Sequence, residues 1–92
     1  MKLLRGQILD FLKRIYPREI EELEILSVFY QYYKDVEIQQ SLAYLVDKGY
    51  VEARKVSIYN KKKQHTLYKL SPKGIDLLER TIEDPAIIIP EG

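Results

Sequence analysis

The sequence predicts an α+β domain, mainly helical, in the order helix, helix, helix, strand, strand, helix. Three observations carry this prediction. Apolar residues recur at spacings of three and four through the first half, as one buried helix face requires. A stretch of loosely alternating β-branched and aromatic residues from Tyr50 to Leu70 is interrupted by the polar run Asn60-Lys61-Lys62-Lys63, as in two strands joined at a tip. Ser71-Pro72 then supplies a helix start, serine as cap and proline at the first helical position.

Each element has its own signal. Residues 3–15 place Leu4, Ile8, Phe11, Leu12 and Ile15 on one stripe, and Pro17 pushes the preceding residue out of the helical region. A second helix is predicted from Arg18 or Glu19 to Tyr32. Glu19, Glu21, Glu22 and Glu24 suit its positive end, and Ile25, Leu26, Val28, Phe29, Tyr30, Tyr32 and Tyr33 cover almost every side of its later turns. Such a helix is expected to be central or to bear a second contact surface. Asp35 is read as the cap of a third helix, Val36 to Lys48, which buries Ile38, Leu42, Leu45 and Val46 and stops at Gly49. The last helix is predicted from Pro72 to Ile82, presenting Ile75, Leu78 and Ile82. A two-stranded hairpin is marginal alone, so it must pack on the helices.

Composition narrows the chemistry. Ninety-two residues make one domain, here 1–83, with 84–92 as an apolar tail, and 46% apolar residues suffice for a modest core without staples. The absence of cysteine removes disulfides, thiolate nucleophiles and cysteine-rich zinc sites. His65 is the only histidine, with no partners at ligand spacing, so no metal is expected and a hairpin-surface role is assigned to it. Gly6, Gly49, Gly74 and Gly92 are scattered, which excludes a phosphate-cradling loop. No nucleophile–base or paired-carboxylate arrangement emerges, so neither an enzyme nor a cofactor is expected. No apolar run approaches the roughly 20 residues of a membrane span or makes a signal peptide, and the expected location is the cytoplasm.

Charge is distributed unevenly. The net charge is only +1, yet no acid occurs between Glu52 and Asp76, where Arg54, Lys55, Lys61, Lys62, Lys63, Lys69 and Lys73 fall. Residues 1–52 hold seven basic and nine acidic side chains, and residues 76–92 one and five. A basic hairpin behind three helices points to a nucleic-acid surface.

The run Ser41-Leu42-Ala43-Tyr44-Leu45-Val46-Asp47-Lys48-Gly49-Tyr50-Val51 resembles the end of the recognition helix in small winged helix-turn-helix regulators of bacteria and phages. Tyr68-Lys69-Leu70-Ser71-Pro72-Lys73-Gly74-Ile75-Asp76-Leu77-Leu78-Glu79 is similar to the junction that closes their wing. The resemblance covers roughly residues 3–82. The whole length, with Asp84-Pro85-Ala86 near its end, also looks like small winged-helix proteins of Mu-like prophages. It implies a winged helix-turn-helix fold and duplex-DNA binding in transcription regulation, with helix three in the major groove and the wing against phosphates or the minor groove. Glu37, Gln39, Gln40, Ser41 and Tyr44 would then face the groove, and Arg54, Lys55, Lys61, Lys62 and Lys63 would serve the wing. Gln39 or Gln40 suits adenine, Tyr44 a thymine methyl or a phosphate, and Glu37 cytosine. Helix three itself carries Asp35, Glu37 and Asp47 against Lys48, so the positive charge for phosphates must come from the wing. The alternative is a winged-helix protein-interaction module, a phage accessory or assembly protein, whose acidic third helix meets a protein.

Two features point to self-association. Ala86-Ile87-Ile88-Ile89 is too apolar to stand free and is expected to dock on its own domain or a neighbour, and the apolar second helix adds to the case for a homodimer. The tyrosines are read mostly as packing residues with their hydroxyls at the surface, Tyr44 and Tyr59 being the candidates for contact with bases.

Overall fold

The computed structural model describes residues 1–57 and 64–91. Its elements are α1 (Lys2–Ile15), β1 (Ile20–Glu21), α2 (Glu22–Phe29), α3 (Asp35–Asp47), β2 (Val51–Ser57), β3 (Gln64–Leu70) and α4 (Pro72–Leu78). The α+β class and the element order therefore hold, with one strand added. Ile58, Tyr59 and the tip Asn60–Lys63 lie outside the described residues.

The strands form an antiparallel sheet in the order β1-β3-β2. β2 and β3 pair from Val51↔Leu70 to Ser57↔Gln64, and β1 joins the other edge of β3 at Ile20↔Tyr68 and Glu21↔Leu67. This corrects the start of the predicted second helix. Ile20 is buried as a strand residue, and only Glu22 and Glu24 of the acidic cluster sit in the first turn of α2. The far end is corrected too: α2 stops at Phe29, whose carbonyl accepts from the N–H groups of both Tyr32 and Tyr33 in the adjoining turn. Nor is α2 buried all round, since only Ile25 and Leu26 are enclosed while Leu23 and Val28 are exposed.

The core is formed by Leu4, Ile8, Leu9 and Leu12 of α1, Ile25 of α2, Ile38, Leu42 and Leu45 of α3, Val51 and Leu70 of the sheet, and Leu77 of α4. Phe11 and Phe29 meet edge to face, 6.1 Å between centroids, where α1 crosses α2.

Helix ends follow local chemistry. Gly49 takes φ +83°, the left-handed conformation predicted for the stop of α3. The Ser71 hydroxyl accepts from the Gly74 N–H at 3.0 Å, capping α4, and donates to the Gly49 carbonyl at 2.6 Å. One serine thus ties the end of α3 to the start of α4. Asp35 does not cap α3; Lys34 occupies that position, and the Glu37 carboxylate accepts from the Lys34 N–H at 3.0 Å. α4 ends at Leu78 instead of Ile82, because Arg80 adopts φ +63° and turns the chain back.

Beyond α4 the tail returns across α1. The Ile88 N–H donates to the Lys2 carbonyl at 3.1 Å, Arg5 Nη1 donates to the Ala86 carbonyl at 3.1 Å, and Ile87 is buried. The crossing is possible because residue 6 is glycine: a Cβ there would stand 1.6 Å from the Ile88 carbonyl oxygen.

Candidate nucleic-acid interface

α3 is held from behind by Ile38, Leu42 and Leu45, and this sets which residues face outward. Val36, Gln39, Gln40, Ala43 and Asp47 are exposed, and at 3.6 residues per turn they occupy an arc of about 100°. Two of the sequence-predicted residues, Gln39 and Gln40, lie on this outward face. Ser41 does not: it is fully buried, with its hydroxyl 3.4 Å from Met1 Sδ, so its assignment to the groove is corrected. A helix turns 100° per residue, so position 41 swings toward α1 beside Leu42. Glu37 is half-buried and committed to the Lys34 N–H.

Tyr44 is half-buried beneath charge. The Arg5 guanidinium stacks on its ring, 3.6 Å from the centroid, and the Lys48 ammonium lies 6.0 Å away. Sequence reasoning overlooked Arg5, whose position depends on the returning tail. It also left Val36 out of the site, although its spacing of four from Gln40 could have placed it there.

The end of α3 is fastened by Asp84, whose carboxylate accepts from the Tyr50 hydroxyl at 2.8 Å and the Ala86 N–H at 2.9 Å and lies 3.5 Å from Lys48 Nζ. Burial alone would raise the Asp84 pKa. The hydrogen bonds from Tyr50 and Ala86, with the Lys48 charge, outweigh it and hold the carboxyl below its usual range. Burial, and then the bond to Asp84, pushes the Tyr50 phenol up to about 12. Tyr68, also buried, donates to Glu22 at 2.9 Å and is likewise raised. Tyr50 and Tyr68 are buried, whereas Tyr16, Tyr30 and Tyr32 are exposed, so the reading of the tyrosines as packing residues holds for part of the set only.

Cross-strand partners share a face, which divides the hairpin's charges between two sides. On the outer side Arg54 spans β3 to make a forked pair with Glu19, Nε to Oε2 at 3.0 Å and Nη2 to Oε1 at 2.8 Å. The bond from Arg54 lowers the Glu19 pKa, and the same bond raises that of Arg54. Beside them the His65 ring contacts the Glu21 carboxylate, so His65 joins β3 to β1 instead of standing free at the surface. Lys55 lies on the other side, exposed, with no ion pair to a described residue. Lys61, Lys62 and Lys63 fall outside the described residues.

Among the described residues no group of three or more potential ligands could hold a metal ion, and no helix is long and apolar enough to cross a membrane. Three helices, a sheet whose β2 and β3 extend as a hairpin, and a helix after it define a winged-helix fold. No family model matches the chain, and no curated protein matches it. It is similar to the crystal structure of Bacillus subtilis PadR in complex with operator DNA, at a TM-score of 0.64 and 25% identity over 97% of this chain. The match covers 52% of the PadR chain, so this chain spans about half the length of that relative.

Proposed function

We propose that the chain is a non-enzymatic, cytoplasmic duplex-DNA-binding protein, a small transcriptional regulator that acts as a homodimer. The observation that carries this reading is the likeness, along 97% of the chain, to a protein crystallised on its operator. The basic hairpin supplies what such a fold needs for phosphates, with Lys55, Lys61, Lys62 and Lys63 as contacts and Arg54 held back by Glu19, while Gln39 and Gln40 on α3 approach the major groove. No catalytic step is involved: lysines neutralise phosphates and release counterions. The phage or prophage origin rests on the sequence resemblance alone.

The homodimer is supported by exposed apolar residues along α2 and in the turn after it, namely Leu23, Val28, Tyr30 and Tyr32. A groove of about 470 Å³ beside them is lined by Phe11, Val28, Phe29 and Tyr32, with Asp10 and Arg14 at its edge. These two side chains pair with each other at 3.0 Å, so the rim of the groove carries no unbalanced charge against a second copy of the same face. Two copies would then address half-sites about one helical turn apart.

A second reading, a protein-interaction module, is favoured by one observation: the outward face of α3 carries no lysine or arginine. Titration of labelled random duplex with the protein at about 50 and 200 mM salt separates the two. With Arg54 held by Glu19, four wing lysines predict a loss of about 150-fold across that range, and changing Lys61, Lys62 and Lys63 to glutamine removes about three-quarters of the salt dependence. Absence of binding at low salt refutes the regulator.

A further inference from the structure

The outward face of α3 has a composition that bears on which base pairs it can read. Of the six exposed residues of α3, Asp35 opens the helix, and Val36, Gln39, Gln40, Ala43 and Asp47 share the outward arc. Each base pair shows a distinct pattern in the major groove, and side chains match it by chemistry. Glutamine pairs two-pronged with adenine N6 and N7, small apolar groups pack on the thymine methyl, arginine and lysine read guanine, and carboxylates read cytosine N4.

By that code the face holds readers for adenine and thymine and lacks those for guanine. Among the described residues the lysines near α3 sit at its two ends: Lys34 before the first turn, and after the last Lys48, held 3.5 Å from Asp84, and Lys73, which donates to the Lys48 carbonyl at 3.1 Å. The nearest arginine, Arg5, lies flat on Tyr44 and is anchored to the Ala86 carbonyl. Readers for cytosine are nearly absent too. Glu37 is engaged by the Lys34 N–H, while the exposed Asp35 and Asp47 stand at the first and last positions of the helix, outside the stretch from Val36 to Ala43.

We infer that α3 selects a run of A·T pairs through the major groove, Gln39 and Gln40 taking adenine edges and Val36 and Ala43 packing on thymine methyls. This rests on the reading of α3 as a groove-entering helix. It adds which bases lie beneath the helix and which residues choose them. The selectivity belongs to the major groove. It is separate from any preference the wing has for narrow A·T minor grooves, which would follow from shape.

The test begins with selection of bound duplexes from a randomised library by the full-length protein. The recovered site is then made in two altered forms: thymines replaced by uracil, which lacks only the methyl, and adenines by 7-deazaadenine, which lacks the N7 acceptor. We expect enrichment of sites with several consecutive A·T pairs. Loss of the glutamine contacts should weaken binding by roughly five- to a hundredfold in the 7-deaza duplex. Uracil should weaken it several-fold. In Gln39→Ala/Gln40→Ala the 7-deaza penalty should vanish while the salt dependence stays, since the wing is intact; both positions are exposed, so the fold is preserved. G·C-rich sites under α3 would overturn the inference. So would A·T-rich sites indifferent to both base changes, which would assign the selectivity to groove shape. If no duplex binds at low salt, the DNA-binding reading fails and this inference with it.

Discussion

Replacing Gly6 by alanine tests the packing of the tail against α1, because helix chemistry and tertiary contact predict opposite signs. In an exposed helix interior the change stabilises by about 0.5–1 kcal/mol, since glycine loses more backbone entropy on folding. Here the new Cβ would lie 1.6 Å from the Ile88 carbonyl oxygen and 2.7 Å from its carbon, both backbone atoms. To restore ordinary contact the tail must retreat by roughly 1.5 Å. That breaks the 3.1 Å bond from the Ile88 N–H to the Lys2 carbonyl and strains the anchor of Arg5 on Ala86. Each bond contributes about 1 kcal/mol, and partial exposure of Ile87 costs on the order of 1–2 kcal/mol more. Against this stand the alanine gain and about 1–2 kcal/mol of backbone freedom for a released residue. The net expectation is a destabilisation of about 1 kcal/mol, a fall in Tm of roughly 4–8 °C for a domain of this size. Circular-dichroism melts of the 92-residue chain and of a chain ending at Glu83, each with and without Gly6→Ala, measure it. The substitution should lower Tm in the full chain and raise it in the shortened one. A rise in the full chain would refute the reasoning.

Glu19→Gln frees Arg54 for phosphate; affinity for duplex at about 50 mM salt should rise up to roughly tenfold and the salt slope steepen by about one, measured by titration, and an unchanged slope would place Arg54 away from the backbone. Asp84 is held below the ordinary carboxylate range, so its contribution to stability is full above that range and is lost as pH falls through the lowered value; Asp84→Asn should flatten this acid limb in melts followed against pH. Tyr50 has the opposite sign, since its folded pKa of about 12 lies above the ordinary 10. Its stabilisation is complete below about pH 10 and fades as pH rises toward 12, so alkaline difference absorbance should lose its late-ionising phase in part in Tyr50→Phe.

Local chemistry decided what was legible in the sequence. Gly49 and Ser71 announce their helix ends because a left-handed stop and an N-cap are properties of a few adjacent residues. β1 was illegible because two residues carry no period, and their extended state comes from pairing with Tyr68 and Leu67 far along the chain. The glutamates beside it therefore read as a helix start, although Glu19 and Glu21 serve Arg54 and His65. Within the candidate site, Gln39 and Gln40 came from the family resemblance, and their outward position follows from the buried stripe of α3. Ser41 was misassigned because it borders that stripe, and only the fold of α1 over it shows which side it takes. Gly6 gave no sign of purpose, since the segment that needs its space arrives more than eighty residues later.

The division of labour on α3 has an evolutionary consequence. Ile38, Ser41, Leu42 and Leu45 keep the helix in place, whereas Val36, Gln39, Gln40 and Ala43 project outward and bear little of the fold's stability. Substitutions at such surface positions usually shift stability by less than about 0.5 kcal/mol. With α3 in the groove as proposed, a lineage carrying this scaffold would change its target by drifting at four positions while the protein goes on folding, and an engineer could randomise the same four without first strengthening the domain.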